Sequence, residues 1–575
     1  MKLNKYILMT SALIMGANCA FADDFDSFDD FASFGDDTSS GVATALEVNG
    51  SIDSEIRAYV DVEEADADQV EMDATPSAAL DMKYSGTKSD MELSLKVDAD
   101  TIKNHPEDVI DEAVLRGYFG NLTLEAGKMK VVWGKGDKLH VLDNFNADDY
   151  SDFIIPDYLD RRISTPMVRA VYSLPFANMN IEGVYTPLLP VDRFATDGRW
   201  TPAQVSTLTG GVTNAATMLV ASSVERLEAA RMEVNQAATL KALMTTGNTD
   251  AKAVLTSMVT DAYTSGKISY SILEVAAKLS EMGVNPSAAT EEQKQMAGAA
   301  VLSEKYSEYL TTELTDAETA YTFALANANS LSTNPDVIYP DLWNLKYSQF
   351  GGRATWTLGQ VDMGISYYNG WYKQPSVNGG KVNSFLTSYL ANGEVSESDK
   401  FLAYDKKQTF GLEMSSIIWH FNVRGEFAYN LTGDTDGSDP WVHNNSIAWL
   451  GGFDIDLPFW NANLNVQETG SFVLNGDECD KNFSDVDYNK TAYTNNKIVA
   501  NITTSFLNDK IAPEVTVMYG IERGDLVVMP KVAFKPDQNL TLTASGMYIH
   551  CADEDSEFYA WRKNSFVSLG AAYQF

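Results

Sequence analysis

The chain ends in the stretch Ser565-Phe-Val-Ser-Leu-Gly-Ala-Ala-Tyr-Gln-Phe575. Counting back from the terminal residue, every second position is apolar, and these positions are Tyr573, Ala571, Leu569 and Val567. The positions between them are mostly small or polar. Because successive side chains of a β-strand point to opposite faces, the stretch predicts a strand whose apolar face ends in two aromatic rings.

The first 22 residues have the pattern of a secretory signal peptide. After a short basic region, residues 6–21 are mostly apolar, and Ala20-Phe21-Ala22 is a small-x-small cleavage pattern. We therefore expect export in a bacterium, with cleavage after Ala22. A lipoprotein modified at Cys19 is the alternative, and Asn18 disfavours it because a small residue is expected before the lipidated cysteine.

After the signal peptide, no apolar run approaches the roughly 18 residues that a membrane-spanning helix needs. A membrane location would then require strands, and a closed barrel is the strand structure that satisfies every backbone group in lipid. A terminal aromatic residue is also typical of the last strand of bacterial outer-membrane barrels. We therefore predict that Tyr573 and Phe575 form the signal read by the barrel-assembly machinery.

Alternating apolar and polar residues recur along the chain, for example at 45–61, 91–99, 514–521 and 540–548. Short turn sequences and longer, more acidic connections follow these stretches in alternation, as expected of tight turns at one end of a barrel and long loops at the other. The fold class predicted is all-β, a transmembrane antiparallel β-barrel of about 18 strands (range 14–18) in the outer membrane, in contact with its lipid.

Composition agrees with this class of protein. The chain has 27 Tyr, 26 Phe and 10 Trp, yet its mean hydropathy is only -0.20, because only every second strand residue would face lipid. Its formal net charge of -38 argues against nucleic acid as a partner and against attraction to anionic head groups. The same acidity suggests a lumen that favours cations.

Residues 201–340 interrupt the alternation. Helix-forming residues dominate there, and 224–236 and 271–282 have helical spacing, so we predict a helical insertion in one outer loop. The insertion could plug the lumen or decorate the outer surface. The predicted segments are a signal peptide (1–22), an acidic Phe-rich tail (23–43), a first barrel part (44–200), the helical insertion (201–340) and a second barrel part (341–575).

The tail at 23–43 spaces Phe25, Phe28, Phe31 and Phe34 by threes within an acidic sequence. Disorder is the expected state of so acidic a segment, although a short helix could bind a periplasmic protein.

The connection at 134–166 within the first barrel part carries a recognisable motif. The matching residues are Trp133-Gly134, Gly136-Asp137, Asp143, Asn146, Asp149-Tyr150 and Asp160-Arg161-Arg162. The stretch resembles a widespread, poorly characterised family of bacterial outer-membrane β-barrel proteins, and it departs from them at Ala147, where proline is usual. The resemblance implies an exported barrel and favours the passage of small apolar or aromatic solutes.

The mixed charges of this connection would be costly to bury unless they pair, whereas a loop folded into a wet lumen offers both pairing and solvent. There they could form the constriction of a pore, or they could pair only with one another to brace the wall. The candidate pore residues are Lys135, Asp137, Lys138, Asp143, Asn146, Asp149, Asp157, Asp160, Arg161 and Arg162.

Sequence patterns for catalysis and for metal binding are missing. The five histidines are scattered and no nucleophile elbow or phosphate loop occurs, so we expect no catalytic residues, no metal and no cofactor. Cys479 and Cys551 both lie in polar segments, and either a disulfide or two free thiols is possible in an exported protein.

The sequence thus predicts an outer-membrane channel or facilitator for small solutes. The alternative is a surface adhesin or antigen whose barrel displays the helical insertion to a host protein.

Overall fold

The computed structural model describes residues 45–60, 71–333, 335–475, 494–554 and 556–575. The predicted signal peptide and acidic tail lie outside these residues, as does Cys479, so those predictions and the possible disulfide to Cys551 remain predictions. The chain divides into two compact units, a sheet unit and a helical unit.

Eighteen strands form one sheet in the described part of the chain. They are β1 (Ala45–Tyr59), β2 (Glu71–Ser85), β3 (Ser89–Asp98), β4 (Ile110–Phe119), β5 (Leu122–Met129), β6 (Thr165–Leu174), β7 (Met179–Thr186), β8 (Gln349–Leu358), β9 (Val361–Trp371), β10 (Lys406–Ile418), β11 (Phe421–Thr432), β12 (Ser446–Asp456), β13 (Asn463–Val473), β14 (Thr494–Thr503), β15 (Ile511–Gly520), β16 (Leu526–Phe534), β17 (Leu540–His550) and β18 (Phe566–Gln574).

The sheet is a closed antiparallel barrel. Each strand pairs with the next one along the chain, and β18 pairs back onto β1 from Ser51↔Gln574 to Tyr59↔Phe566. Closure leaves no sheet edge, so every strand is paired with a neighbouring strand on both sides. The predicted barrel of about 18 strands is confirmed.

The two faces of the sheet differ as the alternation predicts. In β10, Phe410, Leu412 and Met414 are exposed on the outer face, whereas Thr409 and Glu413, at alternate positions, are buried on the inner face. An outer face of exposed apolar side chains is the surface that contacts lipid in a transmembrane barrel.

Connections of two kinds alternate around the barrel, as predicted. Two-residue turns join β4 to β5 and β8 to β9, and Gly120 and Gly359 there have positive φ angles of 63° and 66°, which glycine adopts without strain. The opposite end has the long connections, which include 99–109, 130–164, 187–348, 372–405 and 433–445. We call these two ends the turn end and the loop end.

The helical insertion is confirmed, and it belongs to a compact unit of Thr207–Pro340 and Gly379–Phe401. With two short helices of the sheet unit, α1 (Ala99–Lys103) and α2 (Tyr158–Arg161), the helices in chain order continue as α3 (Ala203–Thr245), α4 (Thr249–Thr264), α5 (Ile272–Glu281), α6 (Glu291–Thr333) and α7 (Val382–Asn392). No helix among the described residues is both long and apolar enough to cross a bilayer.

Two helices of the insertion begin at residues whose side chains cap them. The Asn248 side chain accepts hydrogen bonds from the backbone N–H groups of Asp250 and Ala251, and Ser271 forms a reciprocal capping box with Glu274. Leu255, Val259, Tyr306 and Leu310 are among the residues that form the apolar core between α4 and α6.

Deleting Phe575 is expected to reduce assembly more than stability. Phe575 shares two backbone hydrogen bonds of 2.9 Å with Gly50, and the residue is 60% exposed. Losing these bonds should cost only about 1–3 kcal/mol. We expect less barrel in the membrane fraction, while the inserted barrel melts within about 5 °C of the full-length chain.

Quantitative immunoblotting of membrane fractions and thermal unfolding measure the two effects. The control variant is Gln574→Ala, which changes the adjacent inward-facing residue. Unchanged membrane levels after the deletion, or a much earlier melt, would contradict the predicted role of the terminal aromatic residue.

Candidate functional site

The connection at 130–164, here called the inner loop, is folded into the barrel. Its Phe145 is fully buried and packs edge-to-face on Tyr368 of β9, with ring centroids 5.3 Å apart. Trp133 packs on Phe145 in the same manner at 5.0 Å. Tyr368 lies on the inner face of its strand, opposite in alternation to the lipid-facing Ile365 and Tyr367, so the inner loop occupies the lumen.

Glycine on the wall permits this close contact. A Cβ atom at Gly351 of β8 would lie 2.9 Å from both Phe145 and Trp133, and one at Gly411 of β10 would lie 2.6 Å from Leu142. The loop therefore packs directly against the backbone of these two strands.

A buried carboxylate, Glu426 of β11, is the main polar contact of the loop. Its side chain has no exposed surface. It accepts hydrogen bonds from two segments, 135–136 and 140–142, of the part of the loop here called the tip (residues 134–142). The donors are the backbone N–H groups of Lys135 (2.7 Å), Gly136 (2.7 Å), Val141 (2.8 Å) and Leu142 (3.3 Å) and the His140 ring nitrogen Nδ1 (3.1 Å).

Two of the predicted pore residues extend the loop toward other parts of the wall. Asp137 pairs with Arg424 of β11 and accepts a 2.6 Å hydrogen bond from Asn465 of β13. Lys138 lies 3.9 Å from Glu514 of β15. Both Asn465 and Glu514 are near the turn ends of their strands, so the tip reaches deep into the lumen.

The later part of the loop reaches β1. Asp152 accepts two hydrogen bonds from Arg57 of β1, at 2.6 and 2.8 Å. Phe153 stacks on Trp200 at 5.1 Å and packs near Phe558, from two other connections at the loop end. The inner loop is therefore held at β8–β11, at β13, at β15 and at β1, which places it across the lumen.

Other predicted residues brace the loop internally. Arg162 and Asp143 form an ion pair in which both side chains are almost fully buried, and Arg162 also contacts Asp148 at 3.4 Å. Burial alone would lower the pKa of Arg162, but the two carboxylates outweigh it and raise the pKa above its usual value. Burial raises the pKa of Asp148.

Asn146 closes the base of the loop. Its side-chain oxygen accepts from the backbone N–H of Val131 at 2.8 Å, and its amide nitrogen donates to the carbonyls of Met129 and Ile163 at 3.0 and 2.9 Å. The three hydrogen bonds of this buried amide hold the first and last residues of the inner loop together.

The remaining predicted residues have more peripheral positions. Asp149 lies 3.6 Å from Arg193, Asp157 lies 3.5 Å from Lys138, and Asp160 is exposed. Arg161 donates to two backbone carbonyls of the loop. Lys135 contributes its backbone N–H to Glu426, so the charge of its side chain is not used in that contact.

Sequence reasoning missed the charged residues of the wall itself. Arginine and glutamate alternate on the inner faces of β4 to β10, and together we call them the belt. Its members in order are Arg116, Glu125, Arg169, Glu182, Arg353 and Glu413, with closest N–O distances of 2.5, 2.9, 2.7, 3.9 and 2.5 Å between successive members. The signal was available, since each occupies a polar position of an alternating strand.

The inner faces of β1 to β3 carry more carboxylates than cations, and we call this surface the acidic wall. Arg57, Lys83 and Lys96 are present, but several inward-facing carboxylates form no ion pair with another described residue. Among them are Asp53, Asp73, Asp81 and Glu92. Charge on the belt is balanced, whereas charge on the acidic wall is not.

One group of potential metal ligands occurs within the described ranges, at His105, Glu107 and Asp108. Asp108 is already paired with Lys128 at 2.8 Å and with Arg193 at 2.5 Å. Burial raises the pKa of Asp108, but these two cations outweigh it and lower the pKa. A metal ion would have to displace them, so we assign no metal to the group.

Comparison with known proteins gives structural neighbours alone. No protein-family model and no curated protein matches the chain. Similar solved structures include a BenF-like porin from Pseudomonas fluorescens Pf-5 (9% identity, 92% of this chain and 98% of that one, TM-score 0.38). Another is OccAB3 of Acinetobacter baumannii (8% identity, 92% of this chain and 99% of that one, TM-score 0.38). A third is the outer membrane protein opdK of Pseudomonas aeruginosa (7% identity, 92% of this chain and 98% of that one, TM-score 0.38). At these values the likeness carries no argument about function.

Replacing Arg162 with Met should loosen the inner loop. The change leaves the carboxylate of Asp143 buried without its partner, and breaking a buried ion pair in this way typically costs about 3–5 kcal/mol. Limited proteolysis of the folded barrel should then cleave within 135–160 faster than in the unmodified chain.

Arg161→Met is the matched control, because this adjacent arginine binds two carbonyls and pairs with no carboxylate among the described residues. It should change the cleavage rate much less. Equal rates for the two variants would show that the buried pair does not hold the loop.

Proposed function

We propose that the chain forms a channel for small solutes in a bacterial outer membrane. The observation that carries this proposal is the inner loop, which crosses the lumen of a closed barrel and is held by polar groups of the wall. A loop in this position narrows a water-filled passage and places charged groups along it. The signal-peptide pattern and the aromatic C-terminal strand support the outer-membrane location.

The inner surface of the barrel is suited to a wet passage. If the barrel only displayed loops, apolar side chains could fill its interior at a lower free-energy cost than charged ones, because buried charges carry a large desolvation penalty. Here the belt and the acidic wall cover much of the inner surface with ionised side chains. They are favourable where water or a polar solute can reach them.

The distribution of charge favours cations over anions. Each arginine of the belt has a glutamate within ion-pairing distance, so the belt offers little net positive charge to an anion. The acidic wall opposes it with carboxylates that have no cationic partner among the described residues. Uncompensated carboxylates raise the local concentration of cations in a narrow lumen. Apolar or aromatic solutes, as the family resemblance favours, remain a prediction.

Recording of the purified, refolded barrel in a planar lipid bilayer tests the channel directly. We expect discrete conductance steps, and larger steps when 135–160 is replaced by a short Gly-Ser linker, because the constriction is then removed. A second variant lacks 207–335, so that the helices of the insertion cannot block the pore and hide its conductance. Absence of conductance and of solute flux in all three proteins would contradict the proposal.

The acidic wall should determine the sign of selectivity. In a low-salt gradient, where charges are least screened, the reversal potential should give a K⁺/Cl⁻ permeability ratio above unity. Replacing Asp53, Asp73 and Asp81 with Asn and Glu92 with Gln should lower this ratio. The control is Glu468→Gln on the outward face of β13, which should not change it. An anion-selective unmodified channel would refute the charge argument.

A further inference from the structure

The irregular backbone of the inner loop needs hydrogen-bond acceptors inside the barrel. The loop has no long strand or helix of its own, and unpaired N–H groups in a buried position are costly. Four backbone N–H groups of the tip, from two separate segments, converge on the single carboxylate of Glu426. His140 supplies a fifth donor.

The sequence around the tip is adapted to this carboxylate. Gly134 has a φ angle of 117°, a conformation that other residues rarely adopt, and a Cβ atom there would overlap the Glu426 carboxylate. The glycine allows the backbone to turn directly over Glu426. A larger residue at this position would push the loop away from the wall.

The neighbouring charged residues of the wall are engaged elsewhere. Glu413 faces Glu426 across β10 and β11, but it bonds to Arg353. Arg424, two residues before Glu426 on the same face, pairs with Asp137 and Asp454. Glu426 is therefore the wall carboxylate that is committed to the tip backbone, and no described cation of the wall lies within ion-pairing distance of it.

We propose that Glu426 is the positioning residue of the constriction: its carboxylate fixes the tip of the inner loop across the lumen and thereby sets the size of the passage. The placement of the loop stands on the contacts above, whereas the effect on passage size rests on the proposed channel function. Removal of the carboxylate releases both tip segments together, because they share one acceptor. The tip then samples positions away from β11.

Hydrogen–deuterium exchange of the folded full-length barrel tests the placement without reference to transport. In Glu426→Ala, peptides that cover 133–143 should exchange roughly tenfold faster or more, since charge-assisted hydrogen bonds protect these amides. Glu426→Gln keeps the side-chain volume and an acceptor oxygen but loses the charge, and it should show a smaller effect in the same peptides. Glu413→Gln, which alters a buried carboxylate on the adjacent strand, should leave them protected.

Single-channel recording of the same variants tests the consequence. We expect larger and noisier conductance steps for Glu426→Ala than for Glu413→Gln. Unchanged protection of 133–143 in folded Glu426→Ala would overturn the proposal, and if that variant does not fold, unchanged protection in Glu426→Gln would do so. Faster exchange with unaltered conductance would uphold Glu426 as the anchor of the loop and overturn its effect on the size of the passage. Absence of conductance in the unmodified barrel and in all variants would instead count against the proposed channel function.

Discussion

The closed sheet is the constraint on which the rest of this structure depends. In lipid, each backbone N–H and C=O must find a partner within the protein, and the pairing of β18 with β1 meets this requirement. Closure also fixes the two faces of every strand. Apolar residues such as Leu412 and Leu569 must point outward, so the polar half of each strand is turned into the lumen.

The polar lumen in turn explains why a charged loop can lie inside the barrel. The inner loop brings ionised and amide groups into a space whose wall offers complementary ones, so Asp152 meets Arg57 and Asp137 meets Arg424. Its apolar residues, including Phe145, fill the places where the wall has glycine. Shape and charge of wall and loop are therefore matched at the same strands.

The sequence predicted much of the fold because period-two alternation is a local property. Strand number, the two kinds of connection and the helical insertion all follow from neighbouring residues. The motif also singled out Asp143, Asn146 and Arg162, which the structure brings together. Glu426 and Glu413 were missed because their roles depend on register: only pairing across β10 and β11 shows that one contacts the loop and the other an arginine.

Cross-linking of the loop tip to the far wall is the most direct measurement of the central claim, that the inner loop crosses the lumen. In a chain with Cys479 and Cys551 replaced by Ser, Lys138→Cys and Glu514→Cys should be joined by a short bifunctional thiol reagent in folded barrels, since the two native side chains lie 3.9 Å apart. Lys138→Cys paired with Tyr172→Cys, on the outward face of β6, should not be joined. Failure of the first pair to cross-link, together with ready labelling of Lys138→Cys by a bulky impermeant reagent from the loop end, would place the loop outside the lumen and contradict this account.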